Sequence, residues 1–478
     1  MSPVTSPLPA SSSASPHRAA RSRRLRLAPL VLTASALTVG LTAGTAFPAA
    51  LPTAATVAPR GGADPQRAEL VRLAQQLVAA GAPGVVVRVD DGHSRPVEIA
   101  EQAPWAAKDQ RLEVGDEFRM GSNTKTMMAT IVLQLVAEGR LALTDPVAKW
   151  LPGQVPNGQA ITLRMLLNHT SGLFDYTEDP ALVPSILGKD PHRWTSAELL
   201  AMGVQHPPLF APGTQWSYSN TDYAAVGAVL ERVTGTSLAD LIQDRIAGPL
   251  GLRHTYLATD GSWHGRYARG YEPDAAHMPA AVPTAFRDVA GVHHGSEVNV
   301  SGNDPSWGGA AGAVVSTAQD WSRFYTALMS GRLLPAAQLA ELRSTVPMDP
   351  DNPVHGPGSG LGIETGTTAC GTIWAHDGGI TGYSSVNLTD DSGSRTATVL
   401  VPTEFLFEFG ADPKLVAADQ ALQTAVICAM FGKPAPAAPT AATPAPAQGP
   451  APAQGPALAQ APTQGPAPTP TLAPAQAR

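Results

Sequence analysis

The chain reads as a mixed α/β protein of the α+β kind, in which strands from both ends of a long body close one antiparallel sheet around a helical middle. Three observations predict this. A β-rich run, PGVVVRVDDG at 83–92, ends in a turn near the start of the body. TIWAHDGG, TGYSSVNLTD, a DDSGS turn and RTATVLVP form a second group of strands at 372–402. Between them the apolar residues recur at helical period.

The elements follow in order. Residues 1–46 read as an export signal: five arginines in RAARSRRLR, then the apolar LAPLVLTASALTVGLTAGTA, then small residues that offer cleavage between 46 and 60. An uncleaved anchor is the alternative, since the stretch is long enough to span a bilayer. The folded body runs over 64–432, as one large domain or two joined lobes. TKTMMATIVLQLVAEGRL, from Thr124, is a helix apolar on most faces and stopped near Gly139, the signature of a buried central helix. ITLRMLLNHTSGL, ERVTGTSLADLIQDRIAGPLGL and TAQDWSRFYTALMSG read as further helices, and LVAADQALQTAVICAMFG as the last. Residues 433–478 repeat PAPAQGP and its near copies, cannot bury a core and read as a disordered tail.

Charge and cysteine usage narrow the function. The net charge of −7 includes the leader's arginines, so the mature chain is more acidic still, and nucleic acid and anionic membrane are poor partners. No stable membrane insertion is expected after cleavage, and the chain reads as a monomer. Export permits a disulfide between the two cysteines, Cys370 and Cys428; two buried thiols are the alternative. Of twelve histidines only His293 and His294 are adjacent, and no metal-ligand spacing occurs, so neither metal nor cofactor is expected.

Three short stretches can do chemistry. Ser122 and Lys125 stand one turn apart where the buried helix begins. A hydroxyl needs an adjacent base to act as a nucleophile, and an amine that loses solvation loses basicity and becomes one. A capping serine beside a snorkelling lysine is the bland reading. WSYSNTDY supplies Tyr218, able to shuttle protons, and Asn220, able to hold a substrate amide; a loop tyrosine before a helix is its ordinary counterpart. HDGGITGY places His376, Asp377, Gly378 and Gly379 on a strand, read as an edge strand, where glycine admits a substrate backbone.

In this order and at these separations, GSNTK, VLQLVAEGRLALTDPVAKWLP, LLNHTSGLFDYT, PGTQWSYSN, SWGGAAGAVVSTAQD and CGTIWAHDGG resemble the serine β-lactamase and penicillin-binding family in its class C branch. The pattern is most like the exocellular D-alanyl-D-alanine carboxypeptidase/transpeptidases of actinomycetes. The resemblance implies a β-lactamase/transpeptidase-like fold: a five-stranded antiparallel sheet flanked by helices, an all-α lobe, and a site between them. It implies Ser122 as acylated nucleophile, Lys125 as its base, Tyr218 as proton carrier, Asn220 as substrate holder and His376 where many relatives have lysine. The backbone N–H groups of Ser122 and Gly379 would form the oxyanion hole. Trp307 would line the cleft, with core packing equally open, and Cys370–Cys428 would be a disulfide.

Two positions depart from the pattern. Threonines flank the glycine of the relatives' third motif, where this chain has Asp377 and Gly379 around Gly378. An arginine that binds the terminal carboxylate follows their G-L-G-hydrophobic run, where this chain has Glu364, and a carboxylate there would repel that terminus. Acyl-enzyme chemistry on D-Ala-D-Ala peptides or peptidoglycan precursors, with β-lactams as inhibitors, is the leading expectation. An esterase, D-amino-acid amidase or aminopeptidase of the same fold is the second. A non-catalytic wall-binding or β-lactam-sensing module is the third. The product would be secreted or held in the cell wall.

Overall fold

The computed structural model describes residues 65–348, 358–410 and 412–436. The chain divides into two units, 1–435 and 436–478, and every element below lies in the first. The expected leader and nearly all of the expected tail fall outside the described residues.

The first helix, α1 (Pro65–Ala79), leads into β1 (Gly84–Asp90) and β2 (Val97–Gln102), the expected hairpin. The buried central helix is α2 (Thr124–Ala137), followed by α3 (Leu163–Leu167), α4 (Ser196–Val204), α5 (Asn220–Thr234) and α6 (Ala318–Met329). The chain then returns through β3 (Glu364–Thr367), β4 (Thr372–Ile380), β5 (Tyr383–Thr389) and β6 (Thr396–Val401), and closes with α7 (Pro413–Met430).

One antiparallel sheet joins both ends of the body in the order β2-β1-β6-β5-β4-β3, prolonged by two-residue strands at Gly358–Ser359 and Val346–Pro347. The expected five strands are thus the long ones, and three short strands extend them past β4. Both faces are covered. Val85, Val87 and Val89 of β1 pack with Leu70, Leu73 and Leu77 of α1 and Leu415, Leu422 and Val426 of α7. Val86 and Leu400 turn the other way, into the larger core built on α2. Cover on both faces explains why β1 is apolar on both sides from Val85 to Val89, apart from Arg88.

Two expectations need correcting. The helix expected over ITLRMLLNHTSGL lasts only five residues: His169 takes a left-handed φ of 61° and the HTSGL segment is a loop. The helix expected over ERVTGTSLADLIQDRIAGPLGL is broken at Gly235, whose φ of 68° caps α5. A separate helix, Leu238–Ile242, restarts behind the Ser237 cap.

Cys370 and Cys428 form a disulfide across a separation of 58 residues, tying the start of β4 to α7. Cys428→Ser is expected to lower unfolding stability by about 2–4 kcal/mol, read from urea melts with and without reductant. Reductant is expected to shift only the wild type.

Candidate active site

Ser122 stands in a single helical turn, Gly121–Asn123, that feeds directly into α2. Three contacts pin this turn. Asn123 Nδ2 donates to Ser385 Oγ at 2.8 Å, Ser385 Oγ lies 2.9 Å from Met120 O, and Thr124 Oγ1 donates to Gly121 O at 2.7 Å. Gly121 adopts φ 50°, and a Cβ there would lie 2.6 Å from Gly379 N, so only glycine lets the two backbones meet. The half-buried hydroxyl therefore sits at the positive end of a 14-residue helix.

Lys125, fully buried, points its Nζ at Ser122 Oγ (3.0 Å), Asn220 Oδ1 (2.8 Å) and Ala311 O (2.8 Å). Burial pulls its pKa from 10.5 to about 7, against the opposing pull of Asp175, Asp377 and Glu364. Tyr218 OH donates to Ser122 Oγ at 2.7 Å. Its burial, with Asp377 and Asp175 nearby, raises its pKa well above 10, so it remains a phenol that can give a proton. The structure thus brings Ser122, Lys125, Tyr218 and Asn220 into one hydrogen-bonded group. A neutral Lys125 can take the serine proton, so kcat/KM is expected to rise with pH along a limb near pH 7. Below about pH 6 it should fall close to tenfold per unit, measured with any chromogenic ester the enzyme accepts.

Asn220 is the first residue of α5 and its amide faces inward. Its Oδ1 accepts from Lys125 while its Nδ2 donates to Asp175 Oδ2 at 3.0 Å. The expected substrate holder therefore spends both ends of its amide inside the protein. Asp175 in turn accepts from Thr177 N and Oγ1, each at 2.9 Å. Behind Tyr218, the His169 ring lies 4.5 Å away, and His169 O accepts from Ser217 N at 3.0 Å. His169 Nδ1 is 3.0 Å from Asp222 Oδ2. Asp175, His169 and Asp222 carry no signal of their own in the sequence; the first two lie in LLNHTSGLFDYT, and the partners that give them a place in the site, Asn220 and Asp222, are 45 and 53 residues away.

β4 is not an edge strand: β5 pairs with it from Trp374 to Ile380 and β3 pairs with it from Thr372 to Ala375. Only its second half, His376–Ile380, is free on one side, and there it meets the Ser122 turn. Thr381–Gly382 form a two-residue hairpin turn, which makes Ile380 and Tyr383 a hydrogen-bonded pair and Gly379 and Ser384 a non-bonded one. The Gly379 N–H therefore points away from β5, to the Ser122 side. This fits the expected oxyanion role. Gly378 faces the turn, where a Cβ would lie 2.1 Å from Met120 O and 2.9 Å from Ser122 N.

His376 is buried, and its Nδ1 donates to Asp377 O at 2.6 Å rather than to Ser122, Lys125 or Tyr218. Burial and Lys125 push its pKa down to about 3, so the ring is neutral where the resemblance places a lysine charge. Asp377 turns to the open face, its side chain 59% exposed. Glu364, half-buried on β3, is raised to about 8 by burial and by Asp377, with Lys125 opposing. Trp307 is half-buried against the main core and its carbonyl accepts from Tyr176 OH at 2.8 Å, so it serves packing at least. Among the described residues no group of acids, histidines or cysteines could hold a metal, and no helix is long and apolar enough to cross a membrane.

The family model described as Beta-lactamase matches residues 70–421, which hold the whole of this constellation. The chain belongs to the beta-lactamase family. Proteins similar to it carry the names of different activities. A D-stereospecific amidohydrolase from Streptomyces sp. is 35% identical, with TM-score 0.63 over 74% of this chain and 98% of that one. Penicillin-binding protein 4* of Bacillus subtilis (strain 168) is 27% identical over 70% of this chain and 68% of its own. Esterase EstB of Burkholderia gladioli is 40% identical over 28% of this chain and 37% of its own. The chain spans only about a third of the length of two of the curated relatives it matches.

Proposed function

We propose that this beta-lactamase-family hydrolase cleaves amides or esters of amino-acid-type substrates that carry no carboxylate beside the scissile bond. The observation that carries this reading is the acidic open face of β4 and β3. Glu364 and Asp377 stand there: burial makes both costly to ionise, Asp377 raises that cost further for Glu364, and Lys125 at the nucleophile is the opposing charge. A carboxylate terminus entering that face puts a further acidic group beside acids that already resist ionising, whereas an uncharged amide or a cation does not. The name of the Streptomyces relative, a D-stereospecific amidohydrolase, supports an amide of D configuration.

The chain's residues supply each step. Neutral Lys125 takes the proton from Ser122 Oγ as the oxygen attacks the substrate carbonyl. The developing oxyanion is held by the N–H groups of Ser122 and Gly379. Collapse breaks the bond to the leaving group, which receives a proton from the Tyr218 hydroxyl, and that hydroxyl is refilled from the proton held at Lys125. Water then gives one proton to the same pair as its oxygen attacks the acyl carbon, the bond from that carbon to Ser122 Oγ breaks, and the pair returns the proton to Oγ. The leader and the Cys370–Cys428 bridge support an exported enzyme. Membership of the class C branch rests on the motif pattern alone.

The test is a comparison of kcat/KM for a D-amino-acid amide and for a peptide ending in D-Ala-D-Ala, using the full chain. The amide is expected to be favoured at least tenfold. A preference for the peptide would restore the carboxypeptidase reading. A stable acyl-enzyme with turnover of neither would point to the β-lactam-sensing module.

A further inference from the structure

The segment after β6 places a second carboxylate over the oxyanion strand. Glu404 is 7% exposed, and its side chain crosses Ser384 of β5 to reach Gly379 of β4, the residue paired with Ser384. Its Oε2 is bound to Ser384 Oγ, which also donates to Thr403 O at 2.6 Å. Its Oε1 accepts no hydrogen bond from the described residues and lies against Gly379. A Cβ at residue 379 would stand 1.8 Å from that oxygen, so the carboxylate occupies the place of a side chain there, and only glycine admits it.

The position is built, not incidental. Glu272, fully buried on the strand Tyr271–Pro273, takes the N–H groups of Glu404 (3.0 Å), Phe405 (3.1 Å) and Gly382 (2.8 Å). One carboxylate thus locks both the backbone that carries Glu404 and the hairpin turn that ends β4. Burial, Glu408, Glu272 and Asp377 all push the Glu404 carboxyl up, and the bond from Ser384 works the other way. A buried acid with a vacant oxygen, facing further acids, gains most from a cationic partner.

Gly379 N–H marks where the attacked carbonyl oxygen sits, and Oε1 is beside it. In an amino-acid amide or ester the α-ammonium is one carbon from that carbonyl. We propose that Glu404, admitted by Gly379, is a specificity residue that binds the free α-ammonium of the acyl half of the substrate. The enzyme would then release amines or alcohols from N-unblocked amino acids, as an aminopeptidase or amino-acid amidase does, and would reject N-acylated ones. This rests on the acyl-transfer reading above and narrows its substrate.

The experiment compares three substrates on the full chain: D-phenylalanine p-nitroanilide, its N-acetyl derivative, and the p-nitroanilide in which hydroxyl replaces the α-amine. The wild type is expected to favour the free amine over both others by about 100-fold or more in kcat/KM. Glu404→Gln is expected to cut that ratio at least tenfold, through KM rather than kcat, and Gly379→Ala, which drives Cβ into Oε1, should cut it as well. Equal use of the free and acetylated substrates by the wild type would overturn the proposal while leaving acyl transfer intact. So would an unchanged ratio in a folded Glu404→Gln. Failure of the wild type to cleave any of them, with no acylation by p-nitrophenyl acetate, would overturn the acyl-transfer reading and this proposal with it.

Discussion

Lys125→Met is expected to slow acylation by about 10²- to 10⁴-fold, with no recovery at high pH. Methionine fills the same buried space without a lone pair on nitrogen, so nothing near Ser122 Oγ can take its proton. The loss should appear in kcat and kcat/KM alike, because the base works only as the serine attacks. The substitution also strips a donor from Asn220 Oδ1 and Ala311 O, both of which accept from Lys125 at 2.8 Å. Each orphaned acceptor costs about 1–3 kcal/mol, so a thermal melt belongs beside the kinetics. A fall in rate with the melt still cooperative is the expected pair of results. Retention of the wild-type pH limb near 7 in this variant would show that the limb belongs to another group.

Gly378→Ala is expected to lower kcat/KM by about 100-fold or more in a protein that still folds. Its Cβ would meet the carbonyl oxygen of Met120 at 2.1 Å and the nitrogen of Ser122 at 2.9 Å. Both are backbone atoms of a turn held by Asn123, Ser385 and Thr124, so neither can yield as a flexible side chain would. The strand must draw back from the nucleophile, and the Gly379 N–H moves with it. Gly366→Ala is the matched control: it lies on β3, in the same sheet, and a Cβ there meets nothing within 4 Å. Comparable losses in both variants would show that the sheet, not the apposition of Gly378 and Ser122, sets the rate.

What was legible in the sequence follows from the range of each interaction. Ser122 and Lys125 are neighbours because a helix makes them so, and the apolar run behind them announces that the lysine is buried. Tyr218 and Asn220 flank the start of α5, a boundary that the sequence marks clearly. The long strands were visible through their β-branched runs, and the turn after Asp390 through its composition. Pairing was not visible, since nothing local says which strand lies beside β4. From the sequence alone the strand therefore reads as an edge, although only its second half is open. The HTSGL loop reads as helix because LRMLL carries the helical period up to Leu167, while His169 takes a left-handed turn that serves Ser217 and Asp222 far along the chain. Asp175 and Glu404 escaped for the same reason. Asp175 acts through Asn220, 45 residues away, and Glu404 through Gly379 and Ser384 on neighbouring strands.

The measurement that bears most directly on Ser122 as the acylated nucleophile is the intact-protein mass after brief reaction with a p-nitrophenyl ester and acid quench, followed by peptide mapping. One acyl group on the peptide holding Ser122, absent from Ser122→Ala, is the expected result. An adduct on another residue, or undiminished turnover by Ser122→Ala, would contradict it.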